Sequence, residues 1–143
     1  FDLAPDEAFV VDVDDGGAEY FTVPLSNIWG TTLDIVDRTG SLNKAQSVPN
    51  DGGGYTYVIS PVDPGVANWI DSDGLREGIL TLRMAEFGAA GPQPGLGAHG
   101  RVVKLDRLDT EVPGLKPVGA GERAAELAAR RRGYLRRLPE GTR

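Results

Sequence analysis

Six short apolar-rich runs, most of them alternating apolar and polar residues and with turn-forming residues between them, constrain this chain more than any other feature. Side chains on a strand point to opposite faces in turn, so a period of two gives one apolar and one polar face. Phe9–Asp14 places Phe9, Val11 and Val13 on one side. Asp15-Gly16-Gly17 follows, a strong turn signal. Glu19–Leu25 then aligns Phe21, Val23 and Leu25, so the two runs predict a hairpin. Pro24 has no ladder donor and predicts an edge, a bulge or a strand end. Further strands are predicted over Thr31–Val36, Tyr55–Ser60, Gly78–Met84 and Arg101–Leu105. Sheets of this kind, wet on one face, are mostly antiparallel. The expectation is a mainly β, antiparallel sandwich or barrel over residues 1–110, a Pro/Gly-rich linker over 111–121 and a C-terminal α-helix over 122–138.

The helix differs in kind from the rest. Glu122 and Glu126 stand at its start and Arg130–Arg132, Arg136 and Arg137 at its end, matching the helix macrodipole. Ala124, Leu127, Tyr134 and Leu138 form a narrow apolar stripe, and Pro139 stops the run. From Glu122 to the end there are seven Arg and three Glu, a net of +4; the other 8 basic and 18 acidic residues give −10, summing to −6. An acidic body does not attract phosphates, so nucleic-acid binding is disfavoured, and a short basic helix reads as a solvated face or a clamp on its own acidic domain.

Several chemistries are poorly supplied. With no cysteine, disulfides and thiolate metal sites are excluded. His99 is the one histidine and falls in the Gly-rich stretch 87–100, read as a surface loop, which leaves metal binding and Ser-His-Asp catalysis without a firm base. Asp12–Gly16 and Asp71–Gly74 faintly resemble calcium loops, but the required twelfth-position glutamate is Val23 in one and Leu82 in the other. Carboxylate pairs for acid–base work exist at Asp34 and Asp37, and among Asp71, Asp73 and Glu77, but acidic turn residues are too common to single one out. No catalytic residue, metal or cofactor is assigned. No run is apolar enough for a membrane helix and no leader is visible, so a cytoplasmic protein is expected. The chain starts at Phe1, and sequence upstream of it is expected.

The stretch Asp63-Pro64-Gly65-Val66-Ala67-Asn68-Trp69-Ile70-Asp71-Ser72-Asp73-Gly74 is the most specific. An exposed indole gains nothing from solvent, so the loop is expected to fold back and anchor itself in a core or cleft. With it go Asn27, Trp29, Asn43, Gln46 and Arg83 as candidate ligand-binding residues alongside Asp63, Asn68 and Trp69. Amides in irregular segments either satisfy buried backbone groups or hold a polar ligand, and both readings stay open.

Leu3-Ala4-Pro5-Asp6-Glu7-Ala8, Asn27-Ile28-Trp29, Ser41-Leu42-Asn43-Lys44-Ala45-Gln46 and Asp63-Pro64-Gly65 through Asn68-Trp69 to Asp71 and Gly74 occur in that order, followed by Glu77-Gly78 and Arg83. In these residues, over roughly 1–108, the chain resembles the domain of unknown function 1214 family. The resemblance implies a jelly-roll-like sandwich at the C-terminal end of a longer protein, often behind a domain of unknown function 1254, and brings no reaction with it. The functional expectation is a binding or interaction module that meets a second copy or an N-terminal partner domain through the C-terminal helix. The alternative is part of an enzyme on a small organic or sugar-like substrate held by the Asn/Trp loops.

Overall fold

The computed structural model of the chain describes residues 1–137. Its strands are β1 (Glu7–Asp14), β2 (Tyr20–Ser26), β3 (Ser41–Asn43), β4 (Tyr55–Ser60), β5 (Trp69–Asp71), β6 (Ile79–Leu80), β7 (Arg83–Ala85) and β8 (Gly97–Lys104). A single turn, α1 (Leu108–Glu111), and a longer helix, α2 (Ala120–Leu135), follow. One sheet has the order β5-β4-β1-β8; the other is β3-β2-β6, with β7 also paired to β2. The protein is mainly β, two packed sheets with a C-terminal helix.

The alternation read from the sequence places the core. Val11 and Val13 of β1 and Tyr55, Tyr57 and Ile59 of β4 meet Phe21, Val23 and Leu25 of β2 between the sheets. Burying each such side chain contributes roughly 1.5–3 kcal/mol. The Phe21 and Tyr55 rings meet edge to face, with centroids 4.8 Å apart. Tyr57 turns its hydroxyl to Ser47 Oγ at 2.8 Å, and burial pushes its phenol well up.

The first sheet is not wet on its other face. Ala8, Val10, Val58 and Val103 pack there against Leu108, Val112 and Val66. All six residues of β4 are therefore buried, although Tyr55–Ser60 reads as an alternating run. A strand covered on both sides needs no strict alternation.

Five strand expectations are corrected. β1 and β2 do not pair as a hairpin: β1 lies between β4 and β8, whereas β2 lies in the other sheet between β3 and β6, so the Asp15-Gly16-Gly17 turn carries the chain from one sheet to the other. Thr31–Val36 forms no strand; only Thr32 bridges to Ser26. The reason is local: the Asp34 carboxylate accepts the N–H groups of Val36 and Asp37, and the Asn27 side chain takes those of Trp29 and Thr31. Such side-chain captures bend the backbone away from a ladder. Gly78–Met84 is broken into β6 and β7 opposite Pro24. Thr81 donates to the Pro24 carbonyl at 3.0 Å, but proline offers no N–H in return, so the pairing lapses there. The last strand begins at Gly97 rather than Arg101, taking in the end of the Gly-rich stretch. There the Phe9 ring lies across Gly100, where a Cβ would come within 2.5 Å of it. His99 consequently sits in β8, opposite Asp12, and not in a loop. Finally, the 63–74 segment hides β5, which runs parallel to β4, the one parallel pair among the described strands.

Helix α2 begins at Ala120, two residues before the expected start. Its predicted last residue, Leu138, and Pro139 lie outside the described residues. Its contact face is also not the expected apolar stripe. Leu127 and Tyr134 are half-buried and Ala124 is exposed, while the buried residue is Arg123.

Candidate functional site

Arginines hold α2 to the body. The Arg123 side chain is 9% exposed. It donates through Nε to Asp63 at 2.9 Å, through Nη1 to Glu126 at 2.6 Å and through Nη2 to the Val66 carbonyl at 2.6 Å. Its guanidinium also lies over the Trp69 ring, 5.2 Å from the centroid. Two turns later, Arg130 donates to the Ile35 carbonyl at 2.6 Å and to Ser41 Oγ at 2.8 Å. Arg131 pairs with Asp37 at the surface. The basic helix is thus a clamp on an acidic body, and its inward row is cationic.

Between this helix and the body lies a groove of about 720 Å³. Its floor comes from β2, β3 and the 3-10 turn at Lys44–Gln46, its far wall from Ala67, Asn68 and residues 116–118, and its roof from α2. The groove exists because residues 116–118 pair with 65–67 before α2 starts: Ala67 donates to Lys116 and Val118 to Gly65, at 2.8 and 2.7 Å. That pairing sets where the helix begins and keeps it off the sheet.

The eight residues singled out in the sequence do not converge. Asn43, Gln46 and Asn68 line the groove. Asn43 and Gln46 cap their turn reciprocally: Gln46 N donates to Asn43 Oδ1 at 3.0 Å and Asn43 N to Gln46 Oε1 at 3.1 Å. Asn68, in the left-handed region at φ 54°, spends its whole amide on backbone: Oδ1 accepts from Val48 N, and Nδ2 donates to the carbonyls of Val48 and Thr56. Trp69 is buried behind it in β5, its indole N–H on Ser60 at 3.1–3.2 Å, and Asp63 is held by Arg123. These last two support the helix clamp and not the groove wall. Asn27 and Trp29 sit on a separate turn at the end of β2, and Arg83 is exposed on β7.

The carboxylates are engaged elsewhere. Arg38 bridges Asp71 and Asp73, at 2.9 Å to each. The backbone N–H groups of Asp37 and Val36 hold the Asp34 carboxyl below its usual range against a small opposing effect of burial. Asp12 accepts from Arg101 and from Thr56. Burial raises its pKa, but those hydrogen bonds outweigh burial and keep it low. This cluster borders an open cleft of about 620 Å³ beside His99 and Gly52–Gly54. Among the described residues, no group of three or more Asp, Glu or His side chains is placed to hold a metal. Nor is any helix there long and apolar enough to cross a membrane.

Sequence reasoning missed Arg130, Thr39 and Ser41, which line the groove where Arg130 meets Ser41. Thr39 is 4% exposed and its hydroxyl has no hydrogen-bond partner among the described residues. Burial pulls the Arg130 pKa down, with Asp34 opposing. The only signal in the sequence was one arginine of the run Arg130–Arg132, indistinguishable from its neighbours.

No family model and no curated protein matches the chain. A crystal structure of an uncharacterised protein from Burkholderia cenocepacia is similar, at 36% identity and a TM-score of 0.66. The similarity covers 75% of this chain and 29% of that one, so the chain spans less than a third of the length of that protein.

Proposed function

We propose that this chain is an interaction module: a jelly-roll-like sandwich of the domain of unknown function 1214 kind, acting as the C-terminal part of a longer protein and packing on a partner domain or a second copy. One observation carries the reading. Trp29 is 84% exposed on a turn that the Asn27 side chain holds in shape through the N–H groups of Trp29 and Thr31, at 3.0 Å each. A large apolar side chain kept in water on an ordered turn is the mark of a contact surface. Ile28 and Ile79 extend the patch, since Ile79 pairs with Ser26 beside the turn. Phe1 is tied to Gly78, next to Ile79, so Phe1 and the patch lie close together in the fold. The Burkholderia protein, with more than two thirds of its length outside the similarity, supports a module within something larger. The exposed face of α2, with Ala124, Ala128 and Arg132, offers a second surface for the same role.

Native mass spectrometry of the protein from its complete reading frame, beside the Trp29→Ser variant, tests this. The reading expects the wild type to assemble, or to hold its flanking region resistant to protease, and the variant to lose that property while melting normally. Equal behaviour of the two would overturn it.

A second reading is favoured by the groove, which brings Asn43, Gln46 and Asn68 together with cationic side chains: the chain contributes a pocket for a small organic or sugar-like substrate of an enzyme.

A further inference from the structure

We infer that the groove beneath α2 binds a small organic monocarboxylate, its carboxylate at Arg130 and its apolar body along Tyr20, Val48 and Tyr134. The inference rests on the second reading above, that the groove holds a ligand, and names the chemistry of that ligand.

The first argument is the arrangement of donors. The capping hydrogen bonds consume Asn43 Oδ1 and Gln46 Oε1, which leaves the amide nitrogens as the unengaged ends of both side chains. Asn68 is spent on backbone and contributes shape only. Arg130 uses Nε and Nη2 on neutral oxygens, and its Nη1 has no partner among the described residues. The groove therefore offers donors and asks for an acceptor.

The second argument is charge. Arg130 has no carboxylate partner among the described residues, unlike Arg123, which has Asp63 and Glu126. Lys116 is engaged by Asp51 and by the Pro49 carbonyl. Half-buried, with Asp34 acting on its charge from nearby but no carboxylate in hydrogen-bond contact among the described residues, Arg130 can still form a charge-assisted hydrogen bond with a ligand acid. The groove also holds Arg137, Glu122 and Glu126; Glu126 is neutralised by Arg123, and Glu122 faces the Gly119 N–H at 3.4 Å. With Arg130 facing the groove beside Ser41 and with Glu122 and Glu126 along the roof, the site suits a single negative charge better than a phosphate dianion.

The third is the wall. Tyr20 and Val48 remain 46% and 37% exposed within the groove, apolar surface that a ligand body would cover. Thr39, whose buried hydroxyl has no partner among the described residues, lines the same groove as Ser41 and Arg130. A volume of about 720 Å³ falls in the range of roughly 300–1,000 Å³ usual for such pockets.

The test is a titration of the ¹⁵N-labelled 143-residue protein with 4-phenylbutyrate, its uncharged amide, and glucose, read from amide resonances. The acid is expected to move Thr39, Ser41 and Gly133 saturably, while the amide and glucose leave them in place. Arg130→Gln should weaken binding of the acid about 10- to 100-fold, the span of a lost charge-assisted hydrogen bond. Arg130→Lys should keep most of it. Because Arg130 also ties α2 to the body, the amide spectrum of each variant is compared with wild type, and the acid-against-amide comparison needs no variant at all. Equal binding of acid and amide would overturn the carboxylate assignment, as would an Arg130→Gln variant that binds as well as wild type. Binding of glucose alone would overturn it while leaving the pocket reading standing. Binding of none would remove both.

Discussion

Two tryptophans, each close behind an asparagine, have opposite fates in this molecule. Asn68 reaches across the fold, joining Val48 and Thr56 to the start of β5, and Trp69 is buried behind it under Arg123. Asn27 stays local, its side-chain oxygen accepting from Trp29 and Thr31, and Trp29 stands in solvent. The difference is in the reach of the asparagine's bonds. Long-range bonds lock a segment into the body and carry the neighbouring indole with it. Local ones fix the shape of a turn and leave the indole available. Similar residues therefore build a structural anchor in one place and a presented contact in the other.

Substitutions can break or sharpen that contrast. Trp69→Ala empties a buried aromatic site, removes the indole bond to Ser60 and uncovers Arg123, so it should lower unfolding free energy by about 3–5 kcal/mol in urea melts. A loss under about 1 kcal/mol, the range of an ordinary surface change, would mean that Trp69 is no anchor. Asn68→Gly keeps the left-handed backbone open but deletes three hydrogen bonds to buried backbone, and should cost about 2 kcal/mol. Trp29→Ala should change stability by no more than about 0.5 kcal/mol. A larger loss in the isolated chain would give Trp29 a structural role and erase the contrast.

The smallest effect is one of pH. The folded-state pKa of Asp34 is lowered, chiefly by the N–H groups of Asp37 and Val36. A lowered carboxyl favours the folded state above its unfolded value, near pH 4, and that contribution is lost as pH falls through the folded value. Asp34→Asn should accordingly melt slightly below wild type at pH 7, with the gap closing below about pH 4. A gap constant with pH would show that the carboxylate's charge adds nothing to this turn.

Much of the fold was legible from the chain. Phe9–Asp14, Glu19–Leu25 and Tyr55–Ser60 alternate strongly enough to place strands and the residues that face the core between the sheets, whereas Pro24 lies inside β2 rather than at an edge, bulge or strand end, its missing donor breaking the strand opposite instead. The turn at Asp34 was not legible, because Thr, Leu, Ile and Val there favour a strand and only the carboxylate's capture of two N–H groups reverses that preference. β5 was hidden because three residues carry no period and parallel pairing needs no adjacent turn. The groove was legible in half. Amides in irregular segments pointed to Asn43, Gln46 and Asn68, whereas Arg130 acquires its position from Ile35 and Ser41, 95 and 89 residues away. Helix periodicity cannot convey contacts at that separation.

The most direct test of the account uses fluorine NMR on protein labelled with 5-fluorotryptophan, the two resonances being assigned with Trp29→Phe. In the 143-residue chain, the Trp29 signal should show a large H₂O/D₂O shift and the Trp69 signal almost none. In the protein from the complete reading frame, at a concentration where it assembles fully, the Trp29 shift should collapse toward that of Trp69. A Trp29 signal equally open to solvent in both would contradict the claim that this turn presents a contact surface.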